Sequence, residues 1–413
     1  MARARKTREE SDSDRRRGRF RCWEKRKMTE SRYEKLGVDI HKKGIEVFKP
    51  SIRALFPTAF CAVKHDPQFP EYALVAHADG AGSKPVQSYL NYKETEEAEA
   101  FRGIGQDVVA MNLNDILCVG AAPISFVDYV ALNKSKVPKE ALLKILSEEF
   151  AELIELLREY GITLPFDGGE TADLPDQLSM LDVSGFMEGR VKLSKVITGE
   201  RIRSGNKIVG LRSGGRARYE DKLNSGIMCN GITLARHCLI TDEYEKKYPE
   251  ILGHGTPGYS GHFRIGDYVD ELEMTVDAAI TSPTRIFAPI IIKVLDGVGS
   301  SVTGLVHNTG GGQTKCLKLG RGLRYVKHLI TQPDPIFNLI QRESNESWRN
   351  MYQNFNMGIG FEVILESEAV DAVLSIAEGL GVHAEEIGYV ETGPNGNEVV
   401  IESSLGKFVY DQT

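Results

Sequence analysis

No apolar run in these 413 residues is long enough to span a bilayer, which excludes a helical membrane protein. Cysteine is scarce and scattered: six residues, at 22, 61, 118, 229, 238 and 316, none forming a CxxC pair. That spacing excludes a disulfide framework and a finger- or ribbon-type zinc site, and it suits reduced thiols in the cytosol. Positive charge is not in excess either. The formal net charge is −7, so the whole chain offers no electrostatic reason to bind nucleic acid. A credible Ser-His-Asp or Cys-His set is absent, and so is an internal repeat. An acidic chain can still hold phosphates, through backbone N–H groups and metal ions.

The remaining composition is that of an ordinary globular protein, 41% hydrophobic and 26% charged, long enough for two or three domains. Residues 1–27 stand apart. They hold 12 Lys+Arg and 5 Asp+Glu with almost nothing apolar, so they are expected to be a disordered basic extension. Met28 is the expected true start. The expected domains are 28–193, a linker at 194–206, a second domain at 207–405, and a tail at 406–413.

Strands alternating with helices predict an α/β (α+β) chain in two halves. In the first half, strands are expected at 59–64, 72–78, 124–132, 162–166 and 181–191, with a long amphipathic helix over 139–160. Its core face is Leu142, Leu146, Phe150, Leu153 and Leu157, and Gly161 is its C-cap. The second half begins with a strand at 207–211 and continues through a Gly-, Arg- and Asn-rich loop, 212–231. A helix follows at 232–239, an exposed loop or insertion at 249–268, and a helix opening at Pro283. Strands are then expected at 302–307, 323–330, 358–365, 387–391 and 398–401, with helices at 335–343 and 368–380.

The stretch Gly105–Pro123 predicts a helix that is apolar nearly all round, hence buried. Asp107, Asn112, Asn114 and Asp115 nevertheless sit in it. A buried carboxylate is normally paired, hydrogen-bonded or metal-bound. Asp107 reads most simply as an acid complementing the helix dipole, outside any site. Asn112 and Asp115, one turn apart, either bond to neighbouring groups or face a cation or nucleotide.

Three loops share a strand-then-glycine design. Asp79-Gly80-Ala81-Gly82-Ser83-Lys84 brings backbone N–H groups and a lysine to an anion, or is a tight turn with a capping acid. It is not a Walker A loop. Asp167-Gly168-Gly169-Glu170 puts carboxylates at a strand end, as for a hard cation, or is a solvated acidic loop. Asn308-Thr309-Gly310-Gly311-Gly312 before a helix suits phosphate, or is a glycine turn. His307 just before it is either catalytic or structural. Acids in one half and a phosphate cradle in the other point to a nucleotide and a phosphorylated substrate in one cleft.

The motifs HADGAGSK, GQDVVAMNLNDILCVGAAPISFVDYVA, GGETADLP, DVSGF, CNGITLAR, SPTRI, HNTGGG and FNMGIGFEVI occur here in that order. As a set the chain resembles the aminoimidazole ribonucleotide synthetase family, the phosphoribosylformylglycinamidine cyclo-ligases, over about residues 32–402. The resemblance implies a two-domain ATP-binding synthetase fold whose N-terminal sheets join as a barrel in a cytoplasmic homodimer. It implies ATP and Mg²⁺ as cofactors and formylglycinamidine ribonucleotide as substrate, with neither nucleic acid nor membrane as partner. By motif position, Asp79, Asp115 and Glu170 would hold the metal. Gly80, Gly82, Lys84, Asn112, Gly168 and Gly169 would join them around ATP. Asn230, Gly231, Thr309 and Gly310–Gly312 would line the substrate or phosphate end, and Asp115, Lys84 and His307 would be catalytic. The implied reaction is ATP-dependent imidazole ring closure in purine biosynthesis. The alternatives are another ATP-using enzyme of the superfamily, or a non-catalytic binding protein that kept the fold. Departures mark a divergent branch. Ile52–Phe60 carries no glycine where the family has a glycine-rich loop, Met228 replaces the usual His, and the loop 212–227 is longer.

Overall fold

The structure is a computed structural model that describes residues 31–39, 44–329 and 331–411. The basic extension 1–27 and Met28 lie outside the described residues. The first half is a five-stranded sheet with one helical face. Its strands are β1 (Val63–His65), β2 (Tyr72–Gly80), β3 (Ala122–Leu132), β4 (Phe166–Asp173) and β5 (Leu181–Lys192), in the order β1-β2-β5-β3-β4. All neighbours are antiparallel except β3 and β4. Along β5, Leu181, Val183, Gly185, Met187, Gly189 and Val191 are buried, while residues between them reach solvent. That period-two pattern leaves one face covered and one open. Helices α1 (Lys84–Thr95), α2 (Ile104–Leu117) and α3 (Lys139–Glu159) belong to this half. The predicted core face of α3 is buried at all five positions, and Gly161 follows it at φ +78°.

The second half is a seven-stranded sheet. In chain order its strands are β6 (Lys207–Arg212), β7 (Val302–His307), β8 (Leu323–Leu329), β9 (Ile359–Leu365), β10 (Ala384–Thr392), β11 (Glu398–Ser403) and β12 (Gly406–Asp411). They are arranged β7-β9-β6-β10-β8-β11-β12, with β8 and β11 the parallel pair. Helices α4 (Ile232–Leu239), α5 (Val276–Thr281), α6 (Ala288–Val298), α7 (Pro335–Ser344), α8 (Trp348–Asn354) and α9 (Val370–Gly379) pack around it. The chain is thus a mixed α/β protein of two sheet-centred halves, and among the described residues no helix is long and apolar enough to cross a membrane.

Several expectations change. The glycine-acid run 167–171 is not a loop after a strand at 162–166; it lies inside edge strand β4. The strand expected at 59–64 is only Val63–His65. The helix expected to open at Pro283 starts later, as α6 from Ala288 with Pro289 in its first turn, where a missing donor costs nothing; the separate α5 ends before Pro283. The expected insertion 249–268 buries Ile251, Tyr259 and Ile265 and is therefore packed in part. Residues 406–411, expected as tail, form β12 against β11. Helix α1 follows an acidic glycine loop, and Pro85 in its first turn marks the start.

Helix α2 organises both halves. All but Gln106 of its fourteen residues are buried. One side packs on β2 and β5, and the rest meets α6 and β7 of the second half. It is apolar nearly all round because it has protein nearly all round.

Candidate active site

Each polar side chain of α2 has a specific partner, and the partners define two different sites. At the C-terminal end, Asn112 Nδ2 donates to Val108 O at 2.9 Å and to Asp79 O at 3.1 Å. With its amide protons used, Asn112 Oδ1 is the acceptor that meets His77 Nδ1 at 3.2 Å. His77 Nε2 in turn lies 3.1 Å from Asp115 Oδ2. A ring with an acceptor at each nitrogen carries two protons, so His77 is an imidazolium. Burial opposes that charge, but the hydrogen bond and charge of Asp115 outweigh it and raise the pKa.

His307 is the opposite case. Its Nδ1 donates to Asp115 Oδ1 at 2.7 Å. Its Nε2 lies 3.3 Å from Asn114 Nδ2. That amide also donates to Arg285 O, and Asn114 Oδ1 accepts from Phe287 N, so Nε2 faces a donor. A neutral tautomer satisfies both contacts. Burial drives the pKa of His307 down despite the Asp115 carboxylate, consistent with that tautomer. Fully buried and bonded at both nitrogens, His307 has no ring atom open to substrate. The structure sets it against Asp115 and away from solvent.

Asp115 therefore lies between a charged and a neutral histidine. Burial alone would raise its pKa. The charge of Lys315 and the hydrogen bonds from His307 and His77 reverse this and hold the carboxyl well below its usual range. Lys315 follows the glycine loop, donates to Thr309 Oγ1, and sits 5.1 Å over the Phe60 ring. Phe60 belongs to the glycine-free segment 52–60, so an aromatic ring supports the lysine there.

At the N-terminal end of α2, Asp107 Oδ1 accepts from Lys84 Nζ at 2.8 Å and from Thr284 N and Oγ1 at 2.7 Å each. Lys84 is 1% exposed and also donates to Ser282 O. Asp107 does sit in the first turn, as expected, but it is also one member of a buried ion pair within the first half, and the pair bonds Ser282 and Thr284 of the second half. Lys84, expected beside phosphate, is held in that pair and does not face the cleft.

The loops meet above Asp115. A Cβ on Gly82 (φ +61°) would come within 2.9 Å of Cys229 O, so the 79–84 loop abuts the 228–231 loop and only glycine fits. Ser83 Oγ and Thr233 Oγ1 join them at 3.0 Å. Asn230 Oδ1 approaches Gly310, and Asn230 Nδ2 is buried with no hydrogen-bond partner among the described residues. An orphaned donor beside a glycine cradle suits an anionic or hydroxylated ligand. Gly312 (φ +48°) runs against Phe355 O and Tyr352 O, where a side chain cannot enter. Beneath the cradle, Asn308 and Lys327 both donate to buried Glu362, and Lys327 also reaches Gln313. The long loop 212–226 is pinned by buried Arg285, which donates to the carbonyls of Arg212, Gly214 and Gly215 and pairs with Glu220.

Glu170 does not join this group. The register runs Gly80–Ser184–Tyr129–Glu170 across four strands. Three strand spacings put Glu170 about 14 Å from the Gly80 backbone, beyond the reach of one metal shared with Asp79. Gly168 and Gly169 share that edge strand. Of the three expected metal acids Asp79 is the one at the mouth, its Oδ1 accepting from Gly80 N at 2.8 Å, while Asp115 lies deeper between two histidines.

His77 and Lys315 were not identified from the sequence. His77 lies two residues before Asp79 on one strand, hence on the same face, and that periodicity was the available signal. Lys315 falls in the short helical turn directly after the glycines.

With this geometry in place, comparison with known proteins becomes informative. Residues 61–191 match the model of the AIR synthase related protein, N-terminal domain, and residues 203–401 that of the C-terminal domain. The chain belongs to the AIR synthase related family. Within that family it is 34% identical over 340 residues to a phosphoribosylformylglycinamidine cyclo-ligase of Methanocaldococcus jannaschii, covering 81% of this chain and 83% of the relative. The enzyme of that name from Alkaliphilus metalliredigens is 31% identical over 383 residues, covering 89% and 97%. Among solved structures, AaThiL complexed with AMPPCP and TMP superposes with a TM-score of 0.53 at 9% identity, covering 89% of this chain and 96% of that one. The hydrogenase maturation protein HypE in complex with ATP gives 0.52 at 16%, covering 82% and 85%. "T. maritima PurL complexed with FGAR" gives 0.51 at 15%, covering 88% of this chain but 49% of that one. These structural likenesses show a shared fold.

Proposed function

We propose that this protein is a cytoplasmic, ATP-dependent cyclo-ligase that closes the imidazole ring of formylglycinamidine ribonucleotide to give aminoimidazole ribonucleotide. The observation that carries the reading is the meeting of the 79–84, 228–231 and 308–312 loops over an ionised Asp115. The names of the curated relatives supply the reaction.

In this reading ATP transfers its γ-phosphoryl group to the formyl oxygen, giving an iminophosphate and ADP. A substrate nitrogen attacks the same carbon, and phosphate leaves with the oxygen. Such chemistry asks mainly for positioning and charge stabilisation. The backbone of Thr309–Gly311 and the unpartnered Asn230 amide would hold phosphate or ribose oxygens. Asp79 is the acid placed to hold Mg²⁺, which needs one or two carboxylates when phosphates supply the remaining ligands, and which would neutralise phosphate charge. The imidazolium of His77, half-buried at the cleft, is the group placed to offer a proton or a positive charge. Asp115 keeps it charged.

We further propose a homodimer through the open face of the first sheet. Tyr129 and Phe186 are 39% and 40% exposed there, more than isolated surface aromatics usually need to be.

The test is a direct assay for ADP and aminoimidazole ribonucleotide with purified protein, ATP, Mg²⁺ and the formylglycinamidine substrate. Rescue of a purine auxotroph lacking the cyclo-ligase is the cellular counterpart. Folded protein that hydrolyses no ATP with this substrate and rescues no auxotroph would sink the proposal.

A further inference from the structure

The cleft end of α2 also gathers a metal-type donor set, in which Cys61 joins two side chains that the proposed reaction uses for another purpose. Cys61 Sγ, a ring nitrogen of His77 and a carboxylate oxygen of Asp115 all lie within 4.8 Å of one another. The Cys61 thiol donates to the Asp115 carbonyl at 3.2 Å, which holds the sulfur against this turn of the helix. His77 Nε2 is already 3.1 Å from Asp115 Oδ2. A tetrahedral ion bonded to sulfur, nitrogen and oxygen sets its donors about 3.3–3.8 Å apart, so small side-chain shifts complete the geometry. The outer contacts also fit. Asn112 holds the far nitrogen of His77, and His307 holds the other oxygen of Asp115. Metal ligands are normally buttressed in this way. The His77 side chain keeps 21% exposure, which leaves an entry path and room for water as a fourth ligand.

We propose that Cys61, His77 and Asp115 form an inhibitory site for a zinc-class divalent cation. A thiolate with imidazole selects such a metal over Mg²⁺, which demands oxygen ligands. Coordination displaces the thiol proton and one imidazolium proton to solvent. It also occupies Asp115 and His77 together, so the metal-loaded protein is silent. Lys315 nearby opposes a cation and limits affinity. The binding half of this proposal is independent of the proposed reaction; only the inhibition rests on it.

The test is titration of the full chain with Co²⁺ in the absence of nucleotide, alongside Cys61→Ser and Cys61→Ala. The expected result is one equivalent bound, a sulfur-to-cobalt charge-transfer band, displacement by Zn²⁺, and indifference to excess Mg²⁺. Both variants are expected to lose the band and to bind Zn²⁺ at least about 100-fold more weakly. No band in the parent protein, a band persisting in both variants, or a band erased by Mg²⁺ overturns the assignment. His77→Gln keeps the test open should both Cys61 variants fail to fold: it leaves the thiol in place and must still weaken Zn²⁺ binding. Zn²⁺ inhibition of ADP formation is then measured separately, so a failed assay for ring closure leaves the binding result standing.

Discussion

The two ends of helix α2 each bury an aspartate, yet the two acids do opposite work. Asp107 is closed in on a single lysine and a threonine, and both members of the ion pair are about 1% exposed. Asp115 holds two histidines in different protonation states, beside the second cation Lys315, at the edge of a cleft. A fully enclosed pair that also bonds Ser282 and Thr284 of the other half serves register and has no route to a ligand. A partly open cluster with shifted pKa values is poised for chemistry. Burial alone does not separate them; access and the number of coupled charges do.

The largest expected effect falls at the cleft end. Asp115→Asn keeps the shape but removes the charge that maintains the His77 imidazolium, and is expected to reduce ADP formation about 10³-fold. Turnover within a few-fold of the parent would remove Asp115 from the mechanism. At the latch end the loss is in stability. Lys84→Met leaves Asp107 buried without its cation and is expected to cost about 3–5 kcal/mol, read by denaturant unfolding. Its turnover per folded molecule should stay close to the parent's. A catalytic collapse in stably folded Lys84→Met would erase the distinction between the two ends.

A pH series sharpens it further. His77 has a raised pKa in the fold, so its stabilising contribution is complete below the ordinary value of 6.5 and is lost as pH rises through the folded value. Stability of the parent should fall over that window, and His77→Gln should flatten the slope. An unchanged slope would mean that His77 is not the proton carrier. The smallest effect belongs to His307→Gln. A neutral, fully bonded ring serves position only, so the loss should stay below about 100-fold, beneath what a general acid or base contributes. The activity–pH profile should keep its shape.

The sequence made much of this visible. The strand pattern located β2, β3, β5 and most of the second sheet, because alternation marks β5 and short apolar runs mark strands buried on both faces, such as β7 and β9. Asp115 was recognisable as an acid in an apolar helix, and Asp79, Asn230 and the TGGG loop do meet. What could not be read is which polar residues meet in space. Lys84 lies in a glycine loop that looks built for phosphate, but its Nζ turns toward Asp107, 23 positions away and one helix over. Glu170 looked like a loop carboxylate because glycines surround it, yet those glycines sit in an edge strand. Local composition gave no sign of its register against β3. His77 was hidden by the apolar strand around it.

Helix α2 has one more consequence, for the divisibility of the chain. Its Asp107 and Asn114 are satisfied by Ser282–Phe287 neighbours, which belong to the other half. Severing the chain between residues 193 and 207 would leave an apolar rod studded with unmet polar groups on one fragment and an empty furrow on the other. A hybrid joining this first half to the second half of a distant relative would inherit the same mismatch. The two halves therefore form a single heritable unit, despite each having a complete sheet of its own.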